Sequence, residues 1–246
     1  MTSKSFLLLV RIKFLKKVLN LAGFKEVSGH WIYCPPINKD SIIIDLGANK
    51  AAFSKLLFQN YNARCYAIEP NQDLLNEITD LNIYKFKYAV TKQNSRIKFY
   101  INDNHEASSV IENFYSNSDN KRVDMVEGIT WDTLIEKLNL KNTIISIVKV
   151  DIEGSELDLI ESFTSENVSL IDQLTIEFHD WLNVSLHERT INAIYKLKSL
   201  GFITICYTPN HSWPVEMLFL NKKRVRFNLF KKALLNVYSK FTFLKY

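Results

Sequence analysis

The chain has few cysteines, few glycines and no long apolar run. Its three cysteines, Cys34, Cys65 and Cys206, form no C-x-x-C pair, so neither a disulfide framework nor a zinc knuckle is indicated, and a reducing compartment fits best. None of the six glycines forms the G-x-G-x-x-G pattern that a dinucleotide's pyrophosphate requires. The apolar run at residues 6–10 is cut by Arg11 and is too short to span a bilayer, which takes about 20 residues.

Acidic residues are missing from both ends of the chain. Residues 1–25 carry six basic side chains and residues 221–246 carry eight, without an acid in either segment. All 26 acids therefore lie in the middle, which has a formal charge of about −9 within a chain of net charge +5. Both ends have the pattern of basic amphipathic helices. Such helices bind an anionic membrane surface, nucleic acid or an acidic partner, or they pack on the domain with their lysines in solvent, and the sequence leaves these alternatives open.

A β-branched run ends abruptly in an acid and a glycine. Ile42, Ile43 and Ile44 predict a strand buried on both faces of a parallel sheet. Asp45 and Gly47 then fall at the carboxyl end of that strand, where open α/β sheets bind their ligands.

Two later segments repeat this arrangement. Residues 65–68 predict a second buried strand, which is closed by Glu69, and a carboxylate there can accept hydrogen bonds from ribose hydroxyls. Residues 144–150 predict another strand, which ends at Asp151 and Glu153. The alternative is that these acids only cap the helices that follow.

Four motifs occur in a fixed order along the chain. These are Asp45-Leu-Gly-Ala-Asn49, Ile68-Glu-Pro-Asn71, Lys149-Val-Asp-Ile-Glu-Gly-Ser-Glu156 and Ile176-Glu-Phe-His179. Together they resemble the FkbM family of S-adenosylmethionine-dependent methyltransferases over roughly residues 40–220. The resemblance implies methyl transfer to a hydroxyl of a sugar or glycan-like substrate. One departure is Ala51, which stands where the family usually has a second glycine.

The single glycine of the first loop fits this cofactor. The amino-acid end of S-adenosylmethionine carries no phosphate. Fewer glycines are therefore needed in the loop than for a dinucleotide, whose pyrophosphate must lie directly against the backbone. We expect the cofactor to be bound by Asp45, Gly47, Ala48, Asn49, Phe53, Glu69, Pro70, Asn71, Ala89 and Asp151.

The predicted catalytic residues are His179, Asp151 and Glu153. His179 is the leading candidate for the base, because an imidazole near neutral pH can take the proton of a hydroxyl. The alternative is that His179 orients the substrate or caps a helix. The sequence leaves open whether Asp151 and Glu153 act as the base, hold the substrate or bind a metal. We assign no metal from the sequence, because a metal needs convergent acids and convergence is not visible in a sequence.

The pattern of elements predicts an α/β fold with a doubly wound, mostly parallel seven-stranded sheet of the class I methyltransferase (Rossmann-like) type. The last two strands are expected to form an antiparallel edge. Residues 96–101 are expected to form a hairpin with the third strand, and residues 102–127 a polar loop over the site. The strands are expected near 41–46, 64–69, 84–90, 145–151, 173–179, 202–207 and 215–220, and the helices near 51–60, 71–80, 130–139, 155–163 and 185–200.

These elements divide the chain into three parts. We expect a basic amphipathic lead-in over residues 1–40, the methyltransferase domain over 41–220 and a basic segment over 221–246. We expect a cytoplasmic protein, with peripheral membrane attachment through the basic ends left open. A nucleic-acid methyltransferase is a rival, disfavoured because the acidic body would repel a polyanion. A non-catalytic scaffold that keeps the fold is a second rival, and the oligomeric state stays open.

Overall fold

A computed structural model describes residues 13–14, 16–102, 108–111, 122–180, 183–206 and 216–241. Its strands are β1 (Phe24–Val27), β2 (His30–Tyr33), β3 (Ile42–Leu46), β4 (Arg64–Ile68), β5 (Ile83–Phe86), β6 (Ala89–Val90), β7 (Ser95–Ile101), β8 (Arg122–Ile129), β9 (Ile147–Val150), β10 (Gln173–Glu177), β11 (Phe202–Cys206) and β12 (Glu216–Asn221). Its helices are α1 (16–22), α2 (Ala52–Tyr61), α3 (Gln72–Glu77), α4 (Trp131–Lys137), α5 (Glu156–Ser162), α6 (His187–Ser199) and α7 (Leu229–Phe241).

Seven of these strands form the central sheet, in the order β11-β12-β10-β9-β3-β4-β5. The strands from β10 to β5 run parallel, whereas β12 is antiparallel to both β10 and β11. The doubly wound sheet and its antiparallel edge are therefore confirmed. Ile43 and Ile44 on β3 are fully buried, as a strand covered by helices on both faces requires. Because the chain leaves β3 toward β4 on one side and β9 lies on the other, the carboxyl end of β3 is a switch point, where a ligand crevice forms.

The strand pairing beside this sheet differs from the prediction. Residues 84–90 do not form one strand, because β5 ends at Phe86 and β6 starts at Ala89. The predicted hairpin between residues 96–101 and the third strand is wrong, since β7 pairs with β8 in a separate three-stranded sheet. The backbone groups of β7 need a long partner, and β6 has only two residues.

Strand β8 also corrects the predicted polar loop over residues 102–127, which overlaps Arg122–Ile129. The buried apolar side chains of β8 are Val126 and Ile129, and those of its N-terminal half are exposed or half-buried, so its pattern in the sequence is weak. Residues 103–107 and 112–121 of that loop lie outside the described residues.

The N-terminal segment packs against the antiparallel edge of the sheet. Strands β1 and β2 form a hairpin, and the backbone of Tyr33 exchanges two hydrogen bonds with the side chain of Gln173, at 2.8 and 3.0 Å. Val18 and Leu19 of α1 join a buried cluster that also contains Leu218 of β12. From α7, Leu234 packs against the same cluster. The described parts of both basic ends thus lie on the domain, while residues 1–12 and 242–246 lie outside the description.

Ala51 has a left-handed backbone conformation, with φ 57° and ψ 37°, at the start of α2. Its side chain is fully buried, and its N–H donates to the carbonyl of Ala48 at 2.7 Å. A glycine adopts this conformation without steric cost, which is the physical reason for a glycine at this turn. Alanine fits the turn at a cost of about 1–2 kcal/mol, so the departure from the family pattern leaves the loop intact.

Gly47 brings two strand ends into close contact. Its φ is +70°, and a Cβ atom built on it would lie 1.7 Å from the carbonyl oxygen of Asp151. Only a residue without a side chain allows the loops after β3 and β9 to approach in this way. The close approach is therefore between two parts of the chain itself.

We predict that Gly47→Ala is far more destabilising than Gly201→Ala. Gly201 also has a positive φ, of +101°, but a Cβ there meets nothing within 4 Å, so its substitution costs only the left-handed strain of about 1–2 kcal/mol. At Gly47 the overlap with Asp151 adds about 1–3 kcal/mol or more. Denaturant unfolding of the two variants measures both costs, and equal losses would contradict the close approach.

Candidate active site

The carboxyl ends of β3, β4, β9 and β10 surround a cavity of about 910 Å³. Most of the residues predicted from the sequence line it, namely Gly47, Ala48, Asn49, Phe53, Glu69, Pro70, Ala89, Asp151, Glu153 and His179. Asp45 and Asn71 are fully buried and lie behind this lining. The sheet has therefore brought together four motifs that are far apart in the sequence.

Glu69 is held rigidly at the end of β4. Its two carboxylate oxygens accept hydrogen bonds from the backbone N–H groups of Asn49, at 2.9 Å, and Asn71, at 2.8 Å. The side chain of Asn71 in turn caps α3 by accepting a hydrogen bond from the N–H of Asp73. Burial raises the pKa of Glu69 to about 7, although the two backbone hydrogen bonds oppose this rise. Each oxygen has a lone pair left for a hydroxyl donor.

The Lys149 side chain links the carboxyl ends of β3 and β9 next to the cavity. Its Nζ donates to the carbonyl of Gly47 at 2.7 Å and lies 3.4 Å from Asp45 Oδ1 and 3.2 Å from Asp151 Oδ2. Burial lowers the pKa of Lys149, but the charges of Asp151 and Asp45 outweigh it and raise that pKa. For Asp151, burial opposes ionisation, yet Lys149 and His30 hold its pKa well below the usual range. Both groups are therefore charged at neutral pH.

Asp45 supports this ion pair. Its Oδ2 accepts a hydrogen bond from the Ser54 hydroxyl at 2.8 Å, and Ser54 is a buried residue of α2. The carboxylate thus fixes α2 and Lys149 relative to β3.

His179 lies at the other side of the cavity among several carboxylates. Its Nδ1 is 3.0 Å from Glu156 Oε1, and its Nε2 is 3.1 Å from Glu153 Oε2 and 3.7 Å from Asp151 Oδ1. Burial lowers the pKa of His179, but the hydrogen bond to Glu156 and the surrounding negative charges raise it to about 10. The role of His179 as base stays a prediction.

Glu156 orients that imidazole. The sequence places Glu156 in the first turn of α5, where the helix dipole favours an acid, and the structure has it there. Its carboxylate is 1% exposed and also accepts hydrogen bonds from the backbone N–H groups of Ile152 and Gly154, each at 3.1 Å. These three contacts join the loop after β9 to His179, and no local sequence pattern predicts them.

Glu153 reaches the cavity from a strained turn. Its φ is +51°, which is uncommon for a residue with a side chain, and Gly154 follows with φ +103°. The hydroxyl of Ser109 donates to the carbonyl of Glu153 at 2.6 Å. The turn directs the Glu153 carboxylate to His179 instead of continuing β9.

Sequence reasoning missed His30 and Glu216, which line the cavity beside Asp151 and Glu177. His30 Nε2 lies 3.8 Å from Asp151 Oδ2, and its ring meets Phe53 edge-on at 5.8 Å between centroids. Burial and the nearby carboxylates of Glu177 and other acids raise the pKa of Glu216 to about 7. The Ser-Gly pair before His30 is a turn signal, but no local pattern shows that the hairpin reaches a site formed by β9 and β10.

The cavity is strongly acidic. Its walls carry Glu69, Asp151, Glu153, Glu177 and Glu216 against two lysines, Lys50 and Lys149, of which Lys149 is shared with Asp45. This balance favours a ligand with positive charge, such as a sulfonium.

A sequence model described as the methyltransferase FkbM domain matches residues 45–203. The chain belongs to the FkbM methyltransferase family. It is an S-adenosylmethionine-dependent methyltransferase. His30 and Glu216 lie outside the matched range, so this FkbM methyltransferase completes its cavity with residues that flank the family domain.

Other comparisons find remote likenesses. No curated protein matches the sequence significantly. An rRNA methylase from Streptococcus thermophilus aligns with TM-score 0.40 and 12% identity, over 85% of this chain and 92% of that chain. A precorrin-6y C5,15-methyltransferase from Geobacter metallireducens aligns with TM-score 0.38 and 13% identity, over 75% and 81%. TrmK from M. capricolum, in complex with S-adenosyl-homocysteine, aligns with TM-score 0.35 and 15% identity, over 87% and 70%.

The cavity fits S-adenosylmethionine. Glu69 holds a fixed carboxylate at the place where ribose hydroxyls are recognised in such sheets. Gly47 and Ala48 present a loop without bulky side chains, and both N–H groups are already paired with the carbonyl of Ile68. The surplus of carboxylates offsets the positive charge of the sulfonium.

We predict that Glu69→Gln weakens binding of S-adenosylmethionine by about 1.5–3 kcal/mol, because neutral Gln accepts ribose hydrogen bonds more weakly than a carboxylate. In the parent, affinity should rise as pH increases through about 7, where Glu69 ionises, and fall below it. The variant should lose this part of the pH dependence.

Calorimetric titration on both sides of neutral pH measures both effects. Glu136→Gln is the matched control, since Glu136 is an exposed residue of α4 that pairs with Lys141. An affinity that Glu69→Gln leaves unchanged would contradict the assignment of the ribose site.

Proposed function

We propose that this FkbM methyltransferase methylates a hydroxyl group of a sugar or glycan-like substrate. The main observation in favour of a hydroxyl acceptor is the group formed by Asp151, Glu153 and His179, which converges on one end of the cofactor cavity. Carboxylates and an imidazole can bind a hydroxyl and take up its proton. The carbohydrate class of the acceptor comes from the family resemblance.

The reaction requires alignment above all. When bound, the cofactor supplies an electrophilic methyl group: the acceptor oxygen bonds to the methyl carbon, and the cofactor's sulfur keeps the electron pair of the broken S–C bond. In this proposal Glu69 holds the ribose, and Asp151 and Glu153 orient the acceptor hydroxyl on the other side of the methyl group. Holding the reacting atoms in line at short range supplies most of the acceleration in such a displacement.

The hydroxyl proton must leave as the new bond forms. His179 presents Nε2 to the cavity while Glu156 holds its Nδ1 at 3.0 Å, an arrangement in which a third group orients the base. Glu153 Oε2 and Asp151 Oδ1 lie 3.1 and 3.7 Å from the same nitrogen.

We predict that His179→Ala lowers kcat by about 10²–10⁴, the usual contribution of a positioned acid or base, while the Kd for S-adenosylmethionine changes by less than about threefold. The measurement is transfer of a labelled methyl group to a panel of saccharides, with calorimetry for the Kd. His187→Ala is the control, because His187 starts α6 and does not line the cavity. Unchanged turnover in His179→Ala would remove this residue from the mechanism.

The same assay separates the rival functions. Transfer to RNA or DNA in place of saccharides, with binding that weakens steeply in salt, would favour a nucleic-acid methyltransferase. No calorimetric binding of S-adenosylmethionine would favour a scaffold. The acidic cavity wall opposes a polyanionic acceptor near the reacting atoms.

We also infer that the basic ends hold the enzyme at an anionic lipid surface, which would bring it to a lipid-linked acceptor. The start of α7 supports this, since Leu229 and Phe230 are 84% and 63% exposed and the basic Lys231 and Lys232 follow them. No helix within the described residues is long and apolar enough to cross a bilayer.

We predict that Leu229→Ser with Phe230→Ser reduces sedimentation with vesicles containing anionic lipid severalfold, because both apolar contacts are lost. Leu81→Ser is the matched control, as Leu81 is 98% exposed but lies between α3 and β5. Equal sedimentation of all three proteins, or none for the parent, would contradict membrane attachment through α7.

A further inference from the structure

We propose that Asp151, Glu153 and His179 bind a divalent metal ion. One ligand atom from each residue lies within 4.8 Å of the other two. His179 Nε2 is 3.1 Å from Glu153 Oε2 and 3.7 Å from Asp151 Oδ1. Ligands that bind one cation at about 2.0–2.2 Å are separated from each other by about 3.0–3.6 Å. The two separations from His179 Nε2 are thus close to those in a coordination shell, and the third is within 4.8 Å.

His179 is oriented as a metal ligand. Its Nδ1 is hydrogen-bonded to the buried carboxylate of Glu156 at 3.0 Å, so the Nδ1 proton is donated away from the cavity and Nε2 faces Glu153. Metal-binding histidines commonly donate their second ring N–H to a carboxylate in this way, which fixes the tautomer and the ring. Glu156 itself is fixed by the N–H groups of Ile152 and Gly154.

The two carboxylate oxygens of Asp151 face different groups, which supports the same position for the metal ion. Oδ2 faces the Lys149 ammonium at 3.2 Å, whereas Oδ1 faces His179. Glu177 Oε1 adds a further carboxylate oxygen at 3.9 Å from His179 Nε2. Three carboxylates around one ring nitrogen repel one another, and a bound cation would reduce this repulsion.

A buried imidazole, that of His30, lies beside the carboxylates of this cluster. It is 4% exposed, and its Nδ1 has no hydrogen-bond partner among the described residues. One of its ring nitrogens lies within 4.8 Å of ligand oxygens of Asp151 and Glu177, and Nε2 faces Asp151 Oδ2 at 3.8 Å. His30, Asp151 and Glu177 thus form a second group of candidate ligands, which shares Asp151 with the first.

The donor set indicates the class of ion. Carboxylate oxygens with one or two imidazoles and no thiolate suit Mn²⁺ or Mg²⁺, and also Zn²⁺. Such an ion at this end of the cavity would bind the oxygen of the acceptor and make its proton easier to lose. This role rests on the proposed function, whereas metal binding itself does not.

Binding of Mn²⁺ to the full-length protein tests the proposal. After treatment with a chelator and removal of the chelator, Mn²⁺ is titrated without cofactor or acceptor, and the free ion is followed by electron paramagnetic resonance. We expect one tight site per chain. Asp151→Asn and Glu153→Gly should weaken it at least tenfold, and Glu156→Gln by about 10–100-fold, as for other residues that orient a ligand.

Two variants serve as checks on folding and specificity. Glu153→Gly removes a ligand but relieves the positive φ of +51°, so it should fold at least as well as the parent. Glu136→Gln removes an exposed acid of α4 and should bind Mn²⁺ like the parent.

Either of two results would overturn the proposal. These are no stoichiometric Mn²⁺ binding by the parent, and binding by the folded Glu153→Gly variant that equals the parent's. Because no cofactor or acceptor is present, a negative result leaves methyl transfer untouched, and a failure to methylate saccharides leaves the metal site untouched.

Discussion

The site of this FkbM methyltransferase depends on the buried ammonium of Lys149. Two adjacent parallel strands end in Asp45 and Asp151, and Lys149 lies within 3.4 Å of both carboxylates while donating to the carbonyl of Gly47. Without that charge, the buried carboxylate of Asp45 and the half-buried carboxylate of Asp151 would face each other across the ends of β3 and β9. Removing one partner of a buried ion pair is strongly destabilising. The loop of Gly47, the orientation of Asp151 and the floor of the cavity all follow from this interaction.

From this floor the cavity extends in two directions with different chemistry. Toward β4, Glu69 is fixed by two backbone N–H groups and is suited to hold a ribose. Toward β10, His179 is fixed by Glu156 and surrounded by the carboxylates of Glu153 and Asp151. At both ends, backbone donors or buried side chains hold each functional group in place. Such preorganisation is what a displacement governed by alignment requires.

The family domain accounts for only part of this cavity. His30 comes from the hairpin before the matched residues and Glu216 from the strand after them. The hairpin is held by the reciprocal hydrogen bonds between Tyr33 and Gln173, and α1 and α7 cover it from outside. The basic ends thus contribute to the core that supports one wall of the site.

The sequence by itself determined the central sheet and brought most of the predicted site residues to one cavity. Continuous β-branched runs require burial on both faces, and the acids at their ends must then meet at one edge. It did not determine the pairing of β7 with β8, since the burial pattern of β8 is weak. Only the tertiary structure decided that Asp45 lies behind the cavity, that Glu156 is hydrogen-bonded to His179, and that His30 and Glu216 complete the lining of the cavity. These contacts join residues that are distant along the chain, or they depend on the direction in which a side chain points. A local sequence pattern predicts neither the distant contacts nor the side-chain directions.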